Sequence, residues 1–218
     1  MERKFILSCC STVDLPYSYM EQRDIPVLFY TYVVDGQEYV DDMGRDPAAL
    51  PWRSAQRRSC RSRTRYAARR PAAAAHRRRI HTGIRSAARL HLSFTSGQSS
   101  SVHNAEFAGK MLQEKYPDKK IVVIDTLCSS SGYGLLVDTA ADMRDAGASL
   151  DEVADWVMRS RNKVHHQFFS SDMTQFHRTG RVSGATAMVA SIMNICPIMR
   201  LDSKGAIKAY GKVRGKKK

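Results

Sequence analysis

A short alternating apolar run that breaks into hydroxyls and glycine, then opens an amphipathic helix, leaves a chain few architectures. Leu92 and Phe94 read as the end of a buried strand, whereas Val102, Ala105, Ala108, Met111 and Leu112 recur at helical spacing. Between them lies a turn of Thr95, Ser96, Gly97, Gln98 and Ser99. Strand, polar turn and helix in that order form an anion-binding geometry. The first N–H groups of a helix lack partners and carry the positive end of its dipole, and Thr95, Ser96 and Ser99 add hydroxyls. The same hydroxyls are equally good helix caps, so the pattern alone leaves an anion site and plain capping both open. No G-x-x-x-x-G-K-[ST] loop and no G-x-S-x-G elbow occurs in the sequence. A nucleoside triphosphate and a serine nucleophile at Ser96 are therefore disfavoured, and a single carboxylate suits the turn better.

Around this turn the chain reads as α/β. Residues 5–7 are a buried first strand, followed by a hydroxyl-rich turn and a short helix over 17–22. Residues 27–34 are β-branched and aromatic, and Asp35-Gly36 predicts a hairpin into 37–40. Ile121, Val122, Val123 and Ile124 predict a fully buried, parallel strand. A second hydroxyl-glycine turn then leads into a helix expected to bury Leu135, Leu136, Thr139, Ala140 and Met143 and to stop at Gly147. The Gly132 and Gly134 pair is a fragment of a dinucleotide fingerprint, which close helix packing explains equally well. Ser149 and Glu152 form a capping box for a helix to about residue 161. From residue 162 the pattern becomes strand (164–170), short helix (172–179), a small-residue helix to about 193 with Met188 and Met193 in its core, and a hairpin over 197–213. That order predicts an α+β unit.

Residues 45–89 break this style. They hold 14 of the 23 arginines, none of the 12 lysines and one acid, Asp46, and so carry +13 of the chain's +14. No apolar face repeats there for long, so the segment is not expected to order by burying its own side chains. A nucleic-acid-binding arm, a solvated insertion and a stretch translated out of frame from a GC-rich gene all fit; the arginine, alanine and serine bias without lysine favours the last. Only Trp52 and Tyr66 are aromatic, and no nucleic-acid reading motif is present.

The five cysteines lack a C-x-x-C pair, so neither a disulfide framework nor a zinc site is expected, and Cys128 reads as a small buried apolar residue. His165 and His166 fall in a predicted strand, one inward and one outward, with too few neighbours for a metal. No apolar run approaches the ~20 residues of a membrane helix, and the start lacks a signal sequence, which predicts a cytoplasmic protein without membrane insertion.

Five stretches together resemble the DegV family, bacterial fatty-acid-binding proteins. They are Ser11-Thr12-Val13-Asp14-Leu15-Pro16, Phe94-Thr95-Ser96-Gly97 with Ser99, Val123-Ile124-Asp125 with Ser131-Gly132-Tyr133-Gly134, Gly180-Arg181-Val182-Ser183, and Lys212-Val213-Arg214-Gly215-Lys216-Lys217. Their order and spacing match the family across residues 4–43 and 90–218. The resemblance implies an α/β fold of two domains: an N-terminal three-layer α/β/α domain with a parallel sheet (1–161, interrupted by 45–89) and an α+β C-terminal domain starting at 162–218 and incomplete here. It implies a long-chain fatty acid whose carboxylate meets Thr95 and Ser96, with Arg181 in the polar network, and no cofactor, metal or specific nucleic acid. It also implies a carrier, not an enzyme, that presents the acyl group to a separate fatty acid kinase. The chain departs from the family pattern at four places. A T-S-Q-P motif is absent from 45–89, Cys10 stands where aspartate is usual, Thr179 replaces a glycine, and a C-terminal histidine has no counterpart.

Overall fold

The computed structural model describes residues 4–34, 37–45, 66–69, 88–170, 172–173, 176–177, 179–182 and 195–214. In chain order these form β1 (Phe5–Cys10), α1 (Tyr17–Gln22), β2 (Val27–Leu28), β3 (Thr31–Val34), β4 (Gln37–Val40), β5 (Tyr66–Arg69), β6 (Ala88–Ser93), α2 (Ser101–Lys115), β7 (Ile121–Asp125), α3 (Ser130–Asp145), α4 (Leu150–Ser160), β8 (Gln167–Phe169), β9 (Ile195–Leu201) and β10 (Ile207–Arg214).

Four strands make a parallel sheet in the order β2-β1-β6-β7, with Leu7 opposite Leu90 and Leu90 opposite Val122. Side chains alternate across a strand, and β7 shows what each face meets. Val122 and Ile124 join the core that contains Leu136, Val137 and Ala140 of α3 and Val153 and Val157 of α4. Ile121 and Val123 pack instead on Ala108 and Leu112 of α2. Helices thus cover both faces, which is the expected three-layer arrangement. The capping box of α4 forms as read: Ser149 N–H donates to Glu152 Oε2 at 2.7 Å, and Glu152 N–H donates to Ser149 Oγ at 3.3 Å. Gly147, at φ +94°, follows the end of α3.

Several expectations need correction. The buried stripe of α3 is Tyr133, Leu136, Val137, Ala140, Ala141 and Arg144, whereas Leu135 is 57% exposed and Thr139 and Met143 are half-buried. Leu135 lies two residues, about 200°, from both Tyr133 and Val137, which puts it on the face opposite the stripe. Met111 is likewise partly exposed at 38%. Strand β7 is not fully buried, since it ends the described sheet and Ile121, Val122 and Val123 stay half-exposed. Residues 27–34 are two strands in two sheets. The chain turns at Tyr30, whose N–H donates to Ser11 Oγ at 3.1 Å and whose hydroxyl meets Ser101.

A second, antiparallel sheet has the order β4-β3-β5. Its strand β5 falls within the arginine-rich segment and pairs Tyr66 with Val34 and Arg69 with Thr31. A ladder uses main-chain groups, so it forms without the apolar period the segment lacks. Residues 46–65 and 70–87, which hold most of the segment, lie outside the described residues, as do 183–194 with the expected helix and its Met188 and Met193.

The third sheet, β10-β9-β8, is antiparallel and contains the expected C-terminal hairpin. Asp202 shapes its turn by accepting from the N–H groups of Lys204 and Ala206, both at 2.9 Å. Met173 and Met199 are buried beneath this sheet with Phe168, Phe176, Val182 and Ile207 around them. Phe176 and His177 are helical, within the helix read for 172–179.

Candidate functional site

The turn between β6 and α2 stands at the carboxyl edge of the parallel sheet. Strand β1 is followed by β2 on one side and β6 by β7 on the other, so the turn lies where the strand order reverses, the usual ligand crevice of an open α/β sheet. Its hydroxyls divide the work. Thr95 is fully buried; its Oγ1 donates to the Gly205 carbonyl at 3.2 Å and accepts from Gly97 N–H at 3.0 Å. Ser99 caps locally, accepting from Ser101 N–H at 3.3 Å and donating to Ser101 Oγ at 3.1 Å. Ser96 is exposed, with its N–H donated to Asp125 Oδ1 at 3.1 Å. Of the three hydroxyls, only that of Ser96 is presented outward.

Arg181 reaches the same turn. Its Nε donates to the Gln98 carbonyl at 3.0 Å, and its terminal nitrogen Nη1 donates to the Thr179 carbonyl. The three predicted site residues, Thr95, Ser96 and Arg181, are therefore gathered around residues 95–98. Gly97 and Gly205 bring the turn and the C-terminal hairpin into backbone contact. A Cβ on Gly97 would collide with the Gly205 main chain, and a Cβ on Gly205 with the Thr95 hydroxyl.

Beside the turn opens a cavity of about 880 Å³, within the roughly 300–1,000 Å³ usual for small-molecule sites. Leu135 and Leu136 of α3, Trp156 of α4, Phe168 of β8 and Phe176 form its apolar wall, and Gln98 lines it from the turn. Sequence motifs single out none of these wall residues. They come from separate elements that no local pattern gathers, and Leu135 itself reads in the sequence as part of its helix's buried stripe.

The second hydroxyl-glycine turn forms the polar part of the wall through Ser129, Ser130, Ser131 and Gly132. Asp14, Leu127 and Ser130 adopt positive φ, and Ser130 Oγ donates to the Asp14 carboxylate. A Cβ on Gly134 would lie 2.6 Å from the Val13 carbonyl oxygen, so this glycine serves close helix packing. His165 and His166 precede β8 and do not lie within it; His165 is exposed and His166 half-buried. The thiols of Cys9, Cys10 and Cys128 are buried, and burial pushes Cys128 up to about 12. Cys10 Sγ lies 3.8 Å from His91 Nε2, whose Nδ1 is 3.1 Å from Ser8 Oγ. Among the described residues, no group of three or more His, Cys, Asp or Glu side chains could hold a metal ion, and no helix is long and apolar enough to cross a membrane.

The family model described as uncharacterised protein, DegV family, matches residues 10–218. The DegV domain-containing protein YteA of Lactococcus lactis is 33% identical over 218 residues, covering 95% of this chain and 71% of the relative. A Thermus thermophilus structure described as fatty acid binding of a DegV family protein superposes with a TM-score of 0.79 at 25% identity, covering 97% of this chain and 72% of that one. The fatty acid kinase B3 protein of Streptococcus pneumoniae, loaded with linoleic acid, superposes with a TM-score of 0.78 at 22% identity over 97% of this chain and 73% of its own. With the strand order, the turn and a match that runs from Cys10 to Lys218 all in agreement, this chain belongs to the DegV family.

Proposed function

We propose that this chain binds a long-chain fatty acid, with the carboxylate at residues 95–98 and the acyl chain in the adjoining cavity. One observation carries the reading: Gln98, whose carbonyl Arg181 holds, also lines the cavity, so a polar turn and an apolar chamber meet at one residue. In this reading Ser96 donates its exposed hydroxyl to the carboxylate, Arg181 supplies positive charge, and Thr95 fixes the turn from beneath. The ligand lies between two units, residues 1–161 and 162–218. The fatty acid named in the Thermus thermophilus structure supports the ligand class.

The chain acts as a carrier in the cytoplasm and does no chemistry itself. It presents the bound acid to a separate kinase that forms the acyl phosphate, a role supported by the kinase named in the Streptococcus pneumoniae structure. Native mass spectrometry of protein purified in high salt tests the ligand. A compact charge-state distribution with an added mass that leaves on activation and is identified as a fatty acid is the expected result. A compact protein that takes up no palmitate when the acid is supplied in excess refutes the reading.

A further inference from the structure

His166 stands in the cavity wall with no part in the head-group turn. Its Nε2 accepts a hydrogen bond from Ser129 N–H at 3.3 Å, across the start of α3. The ring is wedged where Gly132 has no side chain: a Cβ there would lie 2.8 Å from Cδ2 and 2.9 Å from Cε1. An accepting Nε2 is unprotonated, so the ring in this arrangement is neutral, with its proton on Nδ1.

The surroundings resist a second proton. Lys163 and His165 line the same cavity beside His166, and Arg161 belongs to the same short 3-10 turn as Lys163. From α3 the ring meets Ser129, Ser130 and Gly132 at the positive end of the helix, with Asp14 engaged by Ser130. α4 contributes Trp156 and Ser160, β8 contributes Gln167 and Phe168, and β10 contributes Ile207. Among the described residues lining the cavity there is no carboxylate. Burial holds the ring below its ordinary value, against the opposing pull of hydrogen bonding with the Val164 and Ser129 main chain, and His165 adds a smaller push in the same direction as burial.

We propose that His166 is a positioning residue for the acyl cavity: as a neutral ring it pins the first turn of α3 to the segment before β8, and its protonation releases that pin and weakens acyl binding. The inference rests on the cavity being the acyl site. A protonated Nε2 places a donor against Ser129 N–H and sets a charge beside methylene groups, both unfavourable. The unfolded chain takes up this proton at higher pH than the folded one. The stability the pin contributes is therefore present above the imidazole range and lost as pH falls through it.

The test compares wild type, His166→Gln and His166→Ala in a Trp52→Phe background, with palmitate as the probe, between about pH 7.5 and 5. Glutamine keeps an acceptor for Ser129 N–H and does not titrate. Wild-type affinity is expected to fall by about tenfold per pH unit below the ring's pKa, the slope of a single proton. His166→Gln is expected to lose that dependence, and His166→Ala to bind weakly throughout. Titration of the palmitate carboxylate is common to all three proteins and cancels from the comparison. Emission from Trp156, recorded without ligand, is expected to shift with pH in wild type and not in His166→Gln. Equal pH profiles in wild type and His166→Gln overturn the inference, and so does tighter binding on acidification. If Trp156 titrates through His166 but palmitate binds at no pH, the pin stands and the fatty-acid reading fails.

Discussion

Thr95 and Gly205, 110 residues apart, meet as hydroxyl and carbonyl at 3.2 Å, and that hydroxyl fills the space a Cβ on Gly205 would need. The contact ties the carboxyl edge of the parallel sheet to the turn of the C-terminal hairpin. It also gives Thr95 a structural task that leaves Ser96 facing solvent.

Gly205→Ala tests this closeness. Gly205 sits at φ +71°, where alanine is strained even without a neighbour. The substitution is expected to lower the unfolding free energy by about 1–3 kcal/mol, read as a lower urea midpoint. An unchanged midpoint would mean that the two turns separate without cost.

Thr95 and Ser96 should respond differently. Thr95→Val keeps the shape but strands Gly97 N–H and leaves the Gly205 carbonyl only the longer bond from Gln98 Nε2 at 3.4 Å, and is expected to cost about 1–3 kcal/mol of stability. Ser96→Ala touches an exposed side chain and should stay within about 0.5 kcal/mol of wild type. It should nevertheless weaken palmitate binding by about tenfold, the loss of one hydrogen bond to a charged group. Calorimetric titration beside urea unfolding separates the two effects; full affinity in Ser96→Ala would remove that residue from the site.

Leu135→Trp is designed to narrow the cavity without disturbing the core, because Leu135 is 57% exposed and lies off the buried stripe of α3. Thermal stability should hold while palmitate affinity drops at least about tenfold, a loss of about 1.4 kcal/mol. The short acid octanoate should bind as before. Equal losses for both acids would place the acyl chain elsewhere.

Alkylation by iodoacetamide should spare Cys9, Cys10 and Cys128 in the native protein near neutral pH. Burial raises all three thiols, Cys128 to about 12, so the reactive thiolate is scarce and shielded. Peptide mass spectrometry with and without denaturant reads the outcome, and rapid native labelling of Cys128 would contradict its burial.

The three-layer core was largely legible because its signals are local. Leu90 and Leu92 alternate, α2 repeats Val102, Ala105, Ala108 and Leu112, and Ser149 with Glu152 marks the start of α4. The gathering of Thr95, Ser96 and Arg181 followed from family resemblance, since no local pattern tells that Arg181 reaches Gln98 across 83 residues. What stayed hidden depends on context beyond the local window. The break at Tyr30 is set by Ser11 and Ser101, each distant in sequence. Strand β5 forms by main-chain pairing with β3 and leaves no apolar period to read. Leu135 counts as apolar in any periodicity, yet its side faces a cavity that other elements enclose.

The bond between Thr95 and Gly205 also sets a clock on biosynthesis. Thr95 leaves the ribosome 110 residues before its acceptor does. At typical elongation rates the turn at residues 95–98 waits on the order of ten seconds before the hairpin arrives to brace it. Throughout that interval the Thr95 hydroxyl has no Gly205 carbonyl to meet, and the carboxyl edge of the nascent parallel sheet stands uncovered on the side the hairpin later closes.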